Sequence, residues 1–233
     1  RDLVRSRGLG DVYKRQIISS NFTHYGANLS SILSAGKSII APFDHAFNRP
    51  DRYNAVNQDL VDGISKSLDR AKNDQSIRAI IITGSGKGFC AGADMTVFEE
   101  DVTPEQRRNY IINQYQPLMR KFFELNKPII GAIIGTSAGV GAAFALACDL
   151  RVMSEKSALL YAFINIGLGP DGGASWLLSR QVGYSKAFEI AISGKKVMGI
   201  ECLKLGLILM TFNISLHRLT SAWNKLSLDT LSG

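Results

Sequence analysis

Two short segments of small residues carry the clearest chemical signal in this sequence. One is FCAGAD at residues 89–94, and the other is TSAGVGA at residues 136–142. Each follows an apolar run and leads into helix-compatible sequence. Small side chains let a ligand approach the backbone, and the N-terminus of a helix presents free N–H groups at a positive dipole end. Two such junctions on neighbouring strands would aim two N–H groups at one oxygen, the arrangement that stabilises an oxyanion.

An isolated acid, Asp171, lies in a Gly-Pro-Asp-Gly segment further along the chain. Apolar residues near it in the sequence would desolvate its carboxylate and raise its pKa toward a range useful for proton transfer; these neighbours are Phe163, Ile166, Leu168 and Trp176. Pro-Asp-Gly is also a common turn sequence, so the residues alone leave a purely structural role open.

Strands alternating with helices are predicted to position these segments. Apolar spacing of four residues predicts a helix from Asn57, and apolar runs at residues 78–83, 128–134 and 150–153 predict buried parallel strands. Thr103 and Pro104 form a helix start, and Pro117 is expected to divide that helix. Further helices are expected at residues 140–148, 176–178 and 187–192. This order indicates an α/β fold with right-handed crossovers.

Composition limits the function classes. The chain has 233 residues, 45% hydrophobic and 20% charged, with a net charge of +7 and no long basic run, which does not favour nucleic acid as a partner. No apolar run is long enough for a membrane span. The three cysteines and three histidines show no metal-ligand spacing, so no metal site is predicted, and unpaired cysteines fit an intracellular, cytoplasmic setting.

The chain divides into three parts by sequence character. Residues 1–16 lack an initiating Met and clear periodicity, and we expect an adaptor-derived leader there. Residues 17–207 carry the predicted α/β core, with short strands expected at residues 31–47. Residues 208–233 are expected to be a truncated or atypical helical C-terminal segment.

Together, these motifs resemble the crotonase (enoyl-CoA hydratase/isomerase) superfamily, and most closely its enoyl-CoA isomerase and epoxyphenylacetyl-CoA isomerase branch. The resemblance spans residues 48 to 207 and rests on the order of the motifs. They are NRP at 48–50, NA at 54–55, GFCAGAD at 88–94, KPIIGAIIG at 127–135, ACD at 147–149, GLGPDGG at 167–173, RQVG at 180–183 and SG at 193–194.

The resemblance implies a fold, a ligand and site residues. The fold is a spiral of repeated ββα units, and the ligand is an acyl-CoA thioester, with coenzyme A part of the substrate and no separate cofactor. The oxyanion amides fall on Ala93 and Val140. Further positions that the resemblance places along the substrate and its CoA portion are Arg52, Ala91, Gly92, Asp94, Gly139 and Phe163. Relatives of this type commonly form trimers or hexamers, which we expect here if the C-terminus is intact.

The resemblance also favours one reaction. Family hydratases use two glutamates, and the matching positions here hold Ala143 and Phe163. Hydration needs groups that position and deprotonate water, so their loss disfavours it. Asp171 occupies a position at which several isomerising members carry an acid. In this family context we predict that Asp171 is the acid/base for moving a double bond through an enolate held by the two amides.

Three alternatives from other classes stay open. One is an enoyl-CoA hydratase, and another is a non-catalytic protein that binds acyl-CoA. The third is a serine hydrolase, because GTSAG at residues 135–139 fits the nucleophile-elbow pattern around Ser137. In that case Asp171 and His217 would complete the triad in hydrolase order.

Overall fold

A computed structural model of the chain describes residues 47–97 and 103–212. The predicted leader, nearly all of the predicted strand region at 31–47, and His217 lie outside the described residues. Seven α-helices are found in the described residues. They are α1 (Gln58–Asn73), α2 (Pro104–Tyr110), α3 (Gln116–Glu124), α4 (Val140–Ala147), α5 (Ala174–Val182), α6 (Tyr184–Ser193) and α7 (Gly199–Lys204).

The described strands form two sheets. They are β1 (Ile80–Thr83), β2 (Ile129–Ile133), β3 (Thr136–Ala138), β4 (Leu150–Ser154), β5 (Ala158–Leu160), β6 (Lys196–Met198) and β7 (Met210–Phe212). One sheet is parallel throughout, in the order β1-β2-β4-β7, and the other has the order β3-β5-β6. Within the second sheet β3 and β5 are parallel, while β5 and β6 are antiparallel. The predicted α/β class is confirmed.

Local sequence explains where these helices begin. Asn57 caps α1 by accepting a hydrogen bond from the amide of Leu60. Thr103 and Gln106 form a reciprocal capping box at the start of α2, as the Thr-Pro-Glu sequence predicts. The helix from Pro104 is divided near Pro117, also as predicted, and the division takes the form of a π-helical turn at Ile111–Tyr115.

Helix α4 is the centre of the core, and all eight of its residues are buried. Its small residues allow neighbouring elements to approach closely: Phe144 stacks on Phe122 of α3 with parallel rings 6.0 Å apart. The same phenyl ring meets Tyr115 edge to face at 6.4 Å. Helix α4 also contacts β3 and α5, so this one helix joins the second sheet to the elements that surround the site.

The structure corrects two boundaries. Met210–Phe212 were expected in a helical tail, but they form β7 and pair with Val152 to Ser154 of β4. The core therefore extends past residue 207. A helix was expected from about Asp94, where the described chain has only a short 3-10 turn at Met95–Val97.

Two further observations bear on the predicted setting of the chain. Cys90, Cys148 and Cys202 are buried and free, with no disulfide between them. An intracellular location stays a prediction. In the part of the chain that the structure describes, no helix has both the length and the apolar character that crossing a membrane requires.

Candidate active site

The first predicted oxyanion segment is held by a network of backbone hydrogen bonds. The amide of Val56 donates to Gly92 O at 2.7 Å, and the amide of Asp94 donates to Val56 O at 2.9 Å. These two bonds flank Ala93, whose own amide has no hydrogen-bond acceptor among the described residues. The loop is thus fixed on both sides of a free N–H group.

The second segment, from β3 into α4, lies directly against the first. Ala138 N donates to Cys90 O at 2.8 Å, which ties the two segments together. Gly92 and Gly139 meet back to back: a Cβ built on either would lie 3.7 Å from the Cα of the other. Both have positive φ, +95° and +53°, which suits glycine at such turns. Each is followed by the residue whose amide was predicted to bind the oxyanion.

The second of those residues is Val140, the first residue of α4. Its amide also lacks an acceptor among the described residues, as expected for the first turn of a helix. Its side chain is 2% exposed and faces Gly172, on which a Cβ would lie 2.8 Å from Val140 Cγ2. The valine side chain therefore packs under the Asp171 turn and leaves its N–H available.

Ala93 and Val140 both line a cavity of about 330 Å³ with mostly apolar walls. The residues that line it include five predicted site positions besides Ala93 and Val140: Ala91, Gly92, Gly139, Phe163 and Asp171. Its remaining lining residues are Met95, Arg107, Ile111, Tyr115, Ala162, Asn165, Ile166, Leu168 and Gly169. The volume suits the acyl part of a substrate.

Asp171 is the only acidic residue among the described residues lining this cavity. Its carbonyl accepts from the amide of Ala174 at 2.8 Å, so the backbone makes the turn that leads into α5. Its Oδ1 is buried and has no hydrogen-bond partner among the described residues. Burial raises the pKa of Asp171 from 3.8 to about 6, an effect that its own backbone N–H partly offsets.

The predicted desolvating neighbours of Asp171 are found with one exception. Phe163, Ile166 and Leu168 line the cavity beside it. Trp176 was wrongly included, because it does not line the cavity. Its ring instead packs edge to face on Phe123 and lies under the guanidinium of Arg180. Trp176 is the third residue of α5 and is 41% exposed.

Two predicted CoA-binding residues do not line the cavity. Asp94 is 5% exposed, and its carboxylate is bound by Arg49 at 2.8 Å and by the Thr96 hydroxyl at 2.6 Å. These hydrogen bonds keep the pKa of Asp94 below its usual value. The Asp94 side chain therefore anchors the loop, and its contact with CoA stays a prediction. Arg52 is exposed on the short 3-10 helix Pro50–Arg52, and its contact with CoA stays a prediction.

The geometry around Ser137 contradicts the hydrolase alternative. Ser137 is completely buried, and its hydroxyl donates to Gly141 O at 2.8 Å. A nucleophile elbow requires an exposed hydroxyl at the tip of the turn. Within residues 47–97 and 103–212, no group of three or more His, Cys, Asp or Glu side chains is arranged to hold a metal ion.

Comparison with known proteins agrees with this geometry. The family model for enoyl-CoA hydratase/isomerase matches residues 44–225, most of the chain. The chain belongs to the enoyl-CoA hydratase/isomerase family. Solved enoyl-CoA hydratases superpose well: one from Polaromonas sp. JS666 has a TM-score of 0.71 at 27% identity, covering 82% of this chain and 74% of that one. Another, from Mycobacterium avium subsp. paratuberculosis K-10, has a TM-score of 0.66 at 32% identity, covering 80% and 72%.

Relatives within the family carry different activity names. The 1,2-epoxyphenylacetyl-CoA isomerase of Escherichia coli K12 is 34% identical over 163 residues, 69% of this chain and 62% of that protein. A probable enoyl-CoA hydratase of Rhodobacter capsulatus is 34% identical over 178 residues, 76% of this chain and 65% of that protein. The chain thus spans less than two thirds of the length of these relatives, and membership in the family does not choose between the two activities.

Sequence reasoning missed one buried member of the site. Helical spacing alone places Tyr115 on the apolar face of its helix, yet it lines the cavity with its hydroxyl buried and unpartnered among the described residues. The available signal was Pro117, because a proline two residues beyond a tyrosine marks a place where the helix must distort.

Proposed function

We propose that this chain binds an acyl-CoA thioester and moves a double bond within its acyl group, with Asp171 as the acid/base. The observation that carries this proposal is a single half-buried carboxylate, whose Oδ1 is buried without a partner among the described residues, in the same apolar cavity as Ala93 and Val140 with their unpaired amides. One carboxylate suffices for a 1,3-proton shift, because the proton it removes is the proton it returns.

The proposed reaction has two steps. Asp171 removes a proton from C2 of a 3-enoyl thioester, and the electron pair passes to the thioester oxygen as a dienolate. The amides of Ala93 and Val140 donate hydrogen bonds to this oxygen, each contributing about 3 to 4 kcal/mol to the transition state. Asp171 then protonates C4, the electron pair returns from the oxygen, and the double bond lies between C2 and C3. No further cofactor is required.

The cavity favours isomerisation over hydration. A hydratase must hold and deprotonate a water molecule next to the substrate. The two positions where the family's hydratases carry glutamates hold Ala143, which is completely buried in α4, and Phe163, which is 5% exposed. Neither side chain binds water, and Asp171 is the one acidic group that the described lining offers for proton transfer.

The proposal is tested by following the conversion of 3-enoyl-CoA to 2-enoyl-CoA in a spectrophotometer. Replacing Asp171 by Asn should lower kcat by about 10²- to 10⁴-fold, the usual contribution of a positioned acid/base. Asp69→Asn is the matched control, since Asp69 is 51% exposed and bonded to Lys121 on the surface. Equal rates in wild type and Asp171→Asn contradict the proposal.

The pH dependence gives an independent check. Asp171 must be ionised to accept the C2 proton, and its pKa is raised to about 6. We therefore expect kcat/KM to rise with pH through about 6 and then to level off. Failure of both proteins to turn over 3-enoyl-CoA, while still binding acyl-CoA, favours a non-catalytic binding protein. Formation of 3-hydroxyacyl-CoA from 2-enoyl-CoA favours a hydratase.

We also propose that the chain self-associates, as a trimer or a pair of trimers. Helix α6 supports this, because Tyr184 and Phe188 stack on each other with their rings 6.0 Å apart while 75% and 53% exposed. Exposed aromatic pairs of this kind are common at protein interfaces. Size-exclusion chromatography with light scattering tests it, and a monomer at all concentrations contradicts it.

A further inference from the structure

The hydroxyl of Tyr115 is a polar group for which the described chain provides no partner. The residue is 1% exposed, lines the acyl cavity, and its hydroxyl neither donates nor accepts a hydrogen bond within the described residues. Burying such a group unpaired is costly, and buried polar atoms in folded proteins nearly always find partners. Its position in the cavity wall indicates that the missing partner is a ligand.

Tyr115 lies at the end of a distorted turn in its helix. Pro117 has no N–H, and its ring crowds the carbonyl four residues earlier, so the helix cannot continue regularly. The amide of Gln116 instead donates to the carbonyl of Ile111, five residues back, in a π-helical turn that ends at Tyr115. Such turns occur often at functional sites. Tyr115 is the last residue of this turn and is 1% exposed.

The tyrosine ring is then fixed on two sides. It meets the ring of Tyr110 edge to face at 5.5 Å and that of Phe144 edge to face at 6.4 Å. Edge-to-face packing restricts the ring without using the hydroxyl. The ring is therefore held in one orientation in the cavity wall before any ligand arrives.

The protonation state of Tyr115 makes it a donor. Burial, with the negative charge of Asp171 among the smaller causes, raises the pKa of Tyr115 above its usual value of 10, so it stays protonated at neutral pH. A neutral phenol can donate one hydrogen bond to an acceptor placed in the cavity. The acyl chain of an ordinary fatty thioester offers no acceptor beyond the thioester oxygen, which the amides of Ala93 and Val140 already bind in the proposed function.

We propose that Tyr115 determines specificity by donating a hydrogen bond to an oxygen atom carried within the acyl group of the substrate. The substrate class is then an acyl-CoA with an oxygen substituent in its acyl chain, preferred over the corresponding plain hydrocarbon. This inference rests on the proposed binding of acyl-CoA, and it adds a specificity that Asp171 and the two amides do not provide.

The test measures binding, so that it does not depend on turnover. Isothermal titration calorimetry compares hexanoyl-CoA with three analogues in which an ether oxygen replaces the methylene at position 3, 4 or 5. These ligands are similar in size, contain no double bond to isomerise, and differ by one hydrogen-bond acceptor. We expect wild type to bind at least one analogue about five- to tenfold more tightly than hexanoyl-CoA, the effect of one buried hydrogen bond.

Tyr115→Phe removes only the donor. It should abolish the preference for the ether, and it should bind hexanoyl-CoA at least as tightly as wild type does. The matched control is Tyr161→Phe, because Tyr161 is equally buried but its hydroxyl donates to Ala174 O at 3.1 Å and does not line the cavity. This control should keep the wild-type preference.

Each outcome bears on one proposal. A preference of less than twofold at every ether position overturns the role of Tyr115, as does a preference that survives in Tyr115→Phe. If Tyr115→Phe instead weakens all four ligands equally, the hydroxyl acts through Asp171 or through packing, and the inference is wrong. If wild type binds none of the four, acyl-CoA binding itself fails, and the proposed function falls with the inference.

Discussion

Buried polar groups are hydrogen-bonded in one region of the molecule and unpaired in another. The first region, called the framework, comprises the strands and loops that position Ala93 and Val140. The second is the wall of the cavity. In the framework, Asn54 is completely buried, and its amide nitrogen donates to the carbonyls of Ser85 and Gly88 at 2.9 and 2.7 Å. In the cavity wall, Tyr115 and Asp171 hold buried oxygens without a partner. They supply two of the three such side-chain atoms in the described residues, the third being on Gln181.

This difference separates residues that stabilise the fold from residues kept for a ligand. Satisfied buried hydrogen bonds favour the folded state, whereas an unsatisfied buried polar atom costs about 1 to 3 kcal/mol. Substitutions in the framework should therefore destabilise the chain, while removing the unpaired groups from the cavity should stabilise it at the expense of function.

Of the substitutions considered, Gly135→Ala should lower the free energy of unfolding the most. A Cβ there would lie 2.0 Å from Lys87 O and 2.8 Å from Gly88 Cα, and residue 135 has a φ of +71°. The substitution must displace the loop that precedes Ala93. We expect at least about 4 kcal/mol of lost unfolding free energy, in the range reserved for severe steric effects, measured by urea denaturation.

Gly167→Ala is the control for backbone strain alone. Gly167 has the same φ of +71°, but no atom lies within 4 Å of a Cβ at this position. Alanine in this conformation costs about 1 to 2 kcal/mol. Equal destabilisation by the two substitutions would show that the close approach of the loop at residues 87–88 contributes nothing.

Asn54→Ala should have the next largest effect. It leaves the two loop carbonyls without their donor and the Arg49 amide without the Asn54 Oδ1 acceptor, 2.8 Å away. Residue 54 also has a φ of +58°, which alanine tolerates poorly. We expect a loss of about 3 kcal/mol and a large fall in kcat, because the loop that carries Ala93 loses its anchor.

Two comparisons separate the causes at this position. Asn54→Gly relieves the backbone strain and keeps only the loss of hydrogen bonds, so it should cost about 1 kcal/mol less than Asn54→Ala. Asn73→Ala, at the exposed end of α1, should change stability by less than about 0.5 kcal/mol. A neutral Asn54→Ala would refute the assignment of Asn54 to the framework.

The framework was the more predictable of the two regions. Apolar runs identified β1, β2 and β4, and glycine-rich motifs identified the segments that carry Ala93 and Val140. These features are local in the sequence, and parallel strands in a βα arrangement bring their C-terminal ends together at one edge. The contribution of Asn54 was not visible, because it bridges loops about 30 residues apart.

The cavity wall was predicted less completely. Asp171 was identified as an isolated acid in an apolar context, but Trp176 was placed beside it although its helix position turns it outward. Tyr115 was hidden because helical spacing assigns a residue to the core without saying whether its polar end is paired. A π-helical turn shifts the helix face by one residue, so the pattern that predicts a regular helix cannot locate the Tyr115 hydroxyl.

Asp171→Asn should stabilise the chain in a manner that depends on pH. The pKa of Asp171 is raised in the folded state, from 3.8 to about 6, so the folded protein binds more protons than the unfolded one between these values. The contribution of Asp171 to the free energy of unfolding is therefore fully present below pH 3.8, and it is lost as pH rises through 6. At pH 7 the free energy of unfolding of Asp171→Asn should exceed that of wild type by up to about 3 kcal/mol, since one pKa unit corresponds to about 1.4 kcal/mol.

Thermal unfolding of wild type and Asp171→Asn at pH 3.5 and pH 7 measures this difference. The gain should be present at pH 7 and nearly absent at pH 3.5, because the wild-type carboxyl is then protonated in both states. Asp69→Asn, which removes an exposed carboxylate, should show no such pattern. An equal gain in stability at both pH values would indicate a packing effect. It would contradict a stability difference that comes from the raised pKa of Asp171.

Two buried tyrosines provide the smallest and most direct comparison. Tyr161 and Tyr115 are both 1% exposed, but the hydroxyl of Tyr161 donates to Ala174 O while that of Tyr115 has no partner in the described residues. Tyr161→Phe should lower the free energy of unfolding by about 1 kcal/mol. Tyr115→Phe should leave it unchanged or raise it by up to about 1 kcal/mol. Opposite shifts of a few degrees in melting temperature without ligand would check this. If Tyr115→Phe is less stable than wild type, the Tyr115 hydroxyl is paired within the protein. The contrast between framework and cavity wall would then fail at Tyr115, the residue proposed to select an oxygen-bearing acyl group.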